Sequence, residues 1–214
     1  MRKRHHFSFE TDTDDILGVL PERCKNRTNQ RPCSPYVIFS ALNSTTTVMA
    51  APCEQHESGR LDKAIEVVVD RIPDISALKP QQTKALKAFI NGEDVFALLP
   101  TGFGKSLIYQ LAPLVLEELG VEKPLVIVIS PLVALMEEQV KEAAEKGVKA
   151  LRLGVDEDSD VVNGRCSLIF GSPEAWLTVD KWRNMLGSQV FKDRLFGVAV
   201  DEAHVAKMVS RLFK

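Results

Sequence analysis

Two short clusters in this sequence hold residue types that can act on a phosphate. The first is Leu99-Pro100-Thr101-Gly102-Phe103-Gly104-Lys105-Ser106. Its glycines let the backbone curl, so that N–H groups along Thr101, Gly102, Phe103 and Gly104 face a single anion. Lys105 presents a positive charge to the β- and γ-phosphates of a nucleotide, and the Ser106 hydroxyl is suited to ligate Mg2+. ATP and Mg2+ are the ligands this chemistry expects. The pattern departs from the general phosphate loop at Leu99, where a glycine often stands.

The second cluster is Asp201-Glu202-Ala203-His204, delivered by the apolar run Phe196-Gly197-Val198-Ala199-Val200. Two adjacent carboxylates can divide the work of hydrolysis. Asp201 is expected to hold Mg2+ through water, and Glu202 to polarise the attacking water as general base. His204 is placed to hydrogen-bond toward the machinery that senses hydrolysis. The plainer alternative is an acidic first turn of an exposed helix, but a phosphate loop upstream favours the catalytic reading.

For the clusters to meet, the loop must join a strand to a helix and the acids must end a strand. Residues 94–99 read as a strand, residues 106–119 as a helix and residues 196–200 as the last strand. Between them lie strands at 125–129, 150–153 and 167–170, a helix at 132–145 and a helical stretch at 174–185. Near-continuous apolar strands alternating with helices predict an α/β fold, with a parallel sheet covered on both faces. Ligands bind at the carboxyl ends of such strands. Upstream, Leu61, Ala64, Ile65, Val68, Val69 and Ile72 recur at helical spacing, and Pro73 stops that helix. A second helix opens at Pro80, buries Ala85, Leu86, Phe89 and Ile90, and ends at Asn91-Gly92.

The formal net charge of −2 gives no bulk electrostatic reason for nucleic-acid binding, so any such contact must rest on local sites. No apolar run approaches the roughly 20 residues that span a bilayer. The partly apolar residues 36–51, broken by Asn43, Ser44 and three threonines, read as neither signal nor anchor. Cys24, Cys33, Cys53 and Cys166 lack the paired spacing of a zinc site, which points to reduced thiols in an intracellular protein. Residues 1–57 mix Arg, Asn, Thr, Ser and Pro without a period and predict a disordered arm, with the domain at 58–214. Met49-Ala50-Ala51-Pro52 resembles a translation start, so the preceding segment is expected to be an upstream extension.

With both clusters in place, the residues around them narrow the family. Ser130-Pro131-Leu132-Val133-Ala134-Leu135-Met136-Glu137-Glu138-Gln139-Val140 resembles motif Ia of RecQ-type DNA helicases. Leu78-Lys79-Pro80-Gln81-Gln82 resembles their motif 0, and Ser172-Pro173-Glu174 their motif Ib. The phosphate loop followed by Leu107-Ile108-Tyr109-Gln110 is similar to theirs as well. This resemblance runs from about residue 75 to residue 204. It implies a RecA-like P-loop NTPase domain of a superfamily 2, ATP-dependent 3′→5′ DNA helicase, nuclear in a eukaryote. It also implies that Gln82 reads the adenine edge. Ser130, Pro131, Ser172 and Pro173 would then hold the phosphates of a single strand or fork through neutral N–H and hydroxyl groups. Ser130-Pro131 equally fits a helix N-cap followed by proline, and the two roles are compatible because a helix N-terminus binds phosphate.

The chain also departs from that family. RecQ proteins usually follow the acidic box with an aromatic-rich loop, whereas here Val205-Ala206-Lys207-Met208-Val209-Ser210 stands in its place. Trp176 and Trp182 do not replace it and are expected to pack in the interior. Motif III, the second RecA-like domain with its arginine finger and the zinc-binding module find no match in these residues. In the family, the motif III strand lies between those of residues 94–99 and 196–200. The two are therefore expected to lack a shared neighbour, leaving the sheet incomplete at its C-terminus and the chain alone an inactive fragment. The competing readings are a non-catalytic nucleotide- or DNA-binding remnant of a helicase and an unrelated P-loop NTPase. Gln82 and residues 130–140 speak against the second.

Overall fold

An all-apolar run is stable as a strand only when helices cover both faces of its sheet. The computed structural model shows that arrangement, and it describes residues 36–40, 47–50 and 58–202, with side chains for 59–202. The first elements are β1 (Tyr36–Ser40), β2 (Thr47–Ala50), α1 (Ser58–Asp70), α2 (Pro80–Ile90), β3 (Val95–Leu98) and α3 (Lys105–Glu118). β4 (Leu125–Ile129), α4 (Val133–Glu145), β5 (Ala150–Arg152), α5 (Asp158–Val162) and β6 (Leu168–Gly171) follow. The last are α6 (Pro173–Thr178), α7 (Asp180–Leu186), α8 (Gln189–Arg194) and β7 (Leu195–Asp201).

The strands form one sheet in the order β2-β3-β1-β7-β4-β6-β5. Neighbours are parallel except β2 and β3, which makes β2 an antiparallel edge on the predicted α/β architecture. On one face Val126 and Val128 of β4 pack with Phe89, Leu111 and Phe170; on the other Ile127 and Ile129 join Trp176, Phe191 and Val198. Successive β4 residues thus enter opposite cores, which is why all five are apolar. Both tryptophans are buried in the second core, as expected of packing residues.

The stretch 174–185 is two helices rather than one. Val179 is extended, with φ −94 and ψ 105, and separates α6 from α7. α5 and α8, of 5 and 6 residues, are too short for a helical period to show in the sequence.

The main correction concerns the N-terminal arm. Its composition points to disorder, and β3 and β7 are expected to lack a common neighbour. Instead, β1 lies between them. Val37, Ile38, Phe39 and Ser40 pair with Val95, Phe96, Ala97 and Leu98, while Tyr36, Val37, Ile38 and Phe39 pair with Val198, Ala199, Val200 and Asp201. β2 then returns along the other edge of β3. The physical reason is residue type: Tyr-Val-Ile-Phe and Thr-Val are β-branched and aromatic runs suited to strands, however polar their surroundings. The rest of the predicted arm, residues 1–35, 41–46 and 51–57, lies outside the described residues, as do residues 203–214. Among the described residues no helix is long and apolar enough to cross a membrane.

Candidate nucleotide-binding site

β3 ends at Leu98, and Leu99 is fully buried behind it, so the unusual leucine anchors the start of the loop in the core. The chain then rises outward: Thr101 and Gly102 are exposed, and Phe103, Gly104, Lys105 and Ser106 are half-buried. The Phe103 N–H donates to the Pro100 carbonyl at 3.2 Å and closes a turn. Gly102 and Gly104 have φ of 74 and 86, in the left-handed region where a side chain is strained. Gly104 is also the N-cap of α3, and no side chain caps that helix. Its first-turn N–H groups therefore retain the capacity to bind an anion. A Cβ on Gly104 would come within 2.7 Å of Gln82 Nε2, so a side chain there would displace that amide as well as strain the backbone. These features fit the phosphates of ATP. Lys105 Nζ rests 3.5 Å from the Leu99 carbonyl.

The structure gives Gln82 a place other than an open adenine edge. It is 4% exposed, its Oε1 accepts the Lys79 N–H at 2.8 Å, and its Nε2 donates to the Phe103 and Gly104 carbonyls at 3.0 and 3.1 Å. Its donor braces the phosphate loop, while its acceptor closes the capping box of α2 at Lys79. Lys79 assists: its Nζ donates to the Phe103 carbonyl at 3.2 Å and lies 4.2 Å from the centre of the Phe103 ring.

β7 brings Asp201 to the same edge of the sheet. Phe39 is level with Asp201 and Ser40 with Leu98, so β3, β1 and β7 end together. Burial pushes the Asp201 carboxyl above its ordinary value, while the Gln139 amide and the Lys105 ammonium pull it down. The Lys105 charge thus bears on Asp201, which brings the residues expected to meet phosphate and Mg2+ to one edge of the sheet. The oxygen donors of Ser106 and Asp201 suit such a hard cation. Glu202 follows with φ 142, a strained backbone for any residue with a Cβ and a kind of outlier that gathers at functional turns. His204 lies outside the described residues.

The two Ser-Pro pairs part ways. Ser172 is the N-cap of α6, its hydroxyl accepting the Ala175 N–H at 3.2 Å, with Pro173 in the first turn. Ser130 is not a cap, since α4 starts at Val133 with Leu132 as its N-cap. The Ser130 side chain is fully buried and its hydroxyl has no hydrogen-bond partner, while Leu132, Val133 and Leu135 are exposed. Ser130 directly follows β4, and its N–H still donates to the Gly171 carbonyl at 3.2 Å, which keeps the residue against the sheet with its side chain inward.

Sequence reasoning passes over the residues behind Asp201. Gln139 Nε2 donates to Asp201 Oδ2 at 3.4 Å, and Gln110 Nε2 donates to the Gln139 carbonyl at 3.5 Å and to Glu142 Oε2 at 3.3 Å. The one available signal is the Gln-Val of the motif Ia pattern, which gives no hint of the partner.

A family model described as DEAD/DEAH box helicase matches residues 79–211, a span holding the phosphate loop, both Ser-Pro loops and the acidic box. The chain belongs to the DEAD/DEAH box helicase family. Within it, this helicase chain is 33% identical over 138 residues to ATP-dependent helicase SGS1 of Saccharomyces cerevisiae, covering 61% of the chain and 9% of that protein. It is 31% identical over 140 residues to ATP-dependent DNA helicase Q1 of Rattus norvegicus, covering 61% and 22%. It is 30% identical over 131 residues to ATP-dependent DNA helicase RecQ of Haemophilus influenzae, covering 58% and 19%. The resemblance to RecQ-type helicases is borne out by these relatives, and the chain spans less than a quarter of each. A hypothetical ATP-dependent RNA helicase from Sulfolobus tokodaii aligns with 73% of the chain and 55% of its own, at 13% identity and a TM-score of 0.41.

Proposed function

We propose that this helicase chain binds ATP–Mg2+ and a DNA strand, as the nucleotide-binding part of a RecQ-like, ATP-dependent 3′→5′ DNA helicase. The observation that carries the reading is the meeting of a glycine-shaped loop and Asp201 at one sheet edge, where β3, β1 and β7 end together. Lys105 contacts the β- and γ-phosphates, and the N–H groups from Thr101 into the first turn of α3 hold their oxygens. Ser106 and Asp201 hold Mg2+, which when bound offsets charge on the phosphates. Glu202 takes the proton of the attacking water, and His204 links the site to its surroundings. Gln82 keeps the loop in shape from behind.

DNA phosphates meet the exposed first turn of α4 beyond Pro131, and the loop of Ser172 and Pro173. Both offer neutral donors, which suits a chain of net charge −2. In a eukaryotic cell such a protein works in the nucleus. Because the resemblance implies an arginine from a second RecA-like domain, worth about 10³–10⁵ in rate in related NTPases, the 214 residues alone should hydrolyse ATP near background.

Calorimetry with ATP and Mg2+ tests the site. Lys105→Ala should abolish measurable binding, while Glu202→Gln should bind ATP as the wild type does. Equal affinity in Lys105→Ala and wild type would remove the phosphate-loop assignment, and with it this reading.

A further inference from the structure

We propose that Gln139 is a positioning residue for Asp201, a half-buried amide that holds the carboxylate in the orientation Mg2+ requires. This rests on the nucleotide-site reading above. Gln139 stands on the middle of α4 and reaches across to the end of β7, where its Nε2 donates to Asp201 Oδ2 at 3.4 Å. The other end of the amide, Oε1, is buried without a hydrogen-bond partner. Tyr109 of α3 is fully buried beside the same amide. Burial first, then the Asp201 and Glu142 carboxylates, push the Tyr109 phenol well above its ordinary value, and the Gln139 hydrogen bond works the other way. The Tyr109 phenol therefore stays neutral within this cluster. Gln110, also fully buried, ties the neighbouring turn of α4 to α3 through the Gln139 carbonyl and Glu142.

Polar side chains thus join α3, α4 and β7 in an interior that is otherwise apolar. An aliphatic residue at 139 would fill the same space without a polar group to satisfy. A carboxamide adds direction. A lone carboxylate at a strand end rotates about its side-chain bonds, and an N–H donor on one oxygen fixes which lone pairs face the site. α3 begins at the phosphate loop and α4 begins at the exposed turn beyond Pro131. The amide therefore links the helix behind the Ser-Pro turn to Asp201, while Gln110 ties that helix to the one behind the phosphate loop.

The test is a titration of the full 214-residue chain with a fluorescent ATP analogue, first in EDTA and then over a series of Mg2+ concentrations. Gln139→Met keeps nearly the same volume and removes the amide. Gln139→Asn keeps an amide on an arm too short to reach. In both, affinity in EDTA should stay within about twofold of wild type, while the Mg2+ concentration for half-effect rises about tenfold, the weight of one hydrogen bond to a charged group. Unchanged Mg2+ dependence overturns the proposal, and so does an equal loss with and without Mg2+, which would make the amide a packing element. Failure of both variants to fold overturns it too, by assigning the residue to stability. Lys105→Ala, run alongside, separates the two readings. If it binds like wild type, the nucleotide site itself is misplaced. If it loses binding while the Gln139 variants respond to Mg2+ normally, only the role of Gln139 falls.

Discussion

Removing residues 1–57 should abolish cooperative folding of the remainder, because β1 is the shared neighbour of the strands that carry both halves of the site. Its removal breaks four register pairs with β3 and four with β7. Adjacent strands lie about 4.8 Å apart, so without β1 the two would face each other across roughly 10 Å, too far to pair. Val95 and Ala97 on one side, and Val198, Ala199 and Val200 on the other, are buried, so water cannot fully replace the lost partners. A buried backbone group left unpaired costs about 1–3 kcal/mol, and four of them reach roughly 4–12 kcal/mol. That is comparable to the whole stability of a domain, about 5–15 kcal/mol. Circular dichroism melts and dye binding on the full chain and on residues 58–214 should therefore differ. The full chain should unfold in one sharp transition, and the truncated one should melt broadly with its apolar surface exposed. Ile38→Pro in the full chain should act in the same direction, since proline removes an N–H from a central strand. A protein started at Met49 would also lack β1 and should behave like the truncation. The reasoning is refuted if residues 58–214 melt as sharply, and at the same temperature, as the full chain.

Gln82→Ala should lower ATP and GTP affinity together by about tenfold, because it releases the Phe103 and Gly104 carbonyls rather than a base contact. A loss confined to ATP would return Gln82 to the adenine edge. Gly104→Ala combines a φ of 86 with a 2.7 Å clash against Gln82, and should weaken nucleotide binding at least as much; unchanged affinity would show that the loop is not held in this shape. Asp201 supplies a pH test. Since burial raises its carboxyl, the folded state keeps the proton to higher pH than the unfolded chain, and stability from this group is lost as pH rises through the folded value. In Mg2+-free buffer Asp201→Asn should melt higher than wild type at neutral pH, by about 2–4 °C, and the gap should close in acid. Identical melting temperatures at pH 7 would contradict the burial argument.

The parts of this fold legible in the sequence are those whose signal is local. Leu125–Ile129 declares itself because a strand buried on both faces needs five apolar residues in a row. Pro80 and Asn91 mark the ends of α2 through their own backbone preferences. The phosphate loop is legible because glycine is needed where φ is positive. β1 is illegible because a five-residue strand carries no period, and its place depends on a gap created by strands more than fifty residues downstream. Gln139 is illegible for a related reason. A glutamine on an amphipathic helix reads as surface, and only the folded placement of α4, packed on β5 and β6, brings it within 3.4 Å of Asp201. Ser130 and Ser172 make the point with identical dipeptides. At Ser172 the helix starts at once and the hydroxyl caps it. At Ser130, Leu132 stays extended, the helix starts later, and the hydroxyl ends inside.

β1 bears on chemistry as well as on stability. The phosphate loop leaves from β3 and Asp201 from β7, two strand spacings apart, or about 10 Å between their backbones. On the function proposed above, that separation would leave room for phosphates and a hydrated cation between Lys105 and Asp201, with side chains spanning the remainder. If β3 paired directly with β7, the spacing would halve and the lysine would meet the carboxylate with no space for a nucleotide. If the two strands drifted apart, neither side chain would reach. One inserted strand sets the gap, because parallel pairing holds Ser40 level with Leu98 and Phe39 level with Asp201. On the proposed reading, the sheet and the nucleotide site are therefore completed by the same five residues, and a chain that folds without them would have its ATP ligands at the wrong distance.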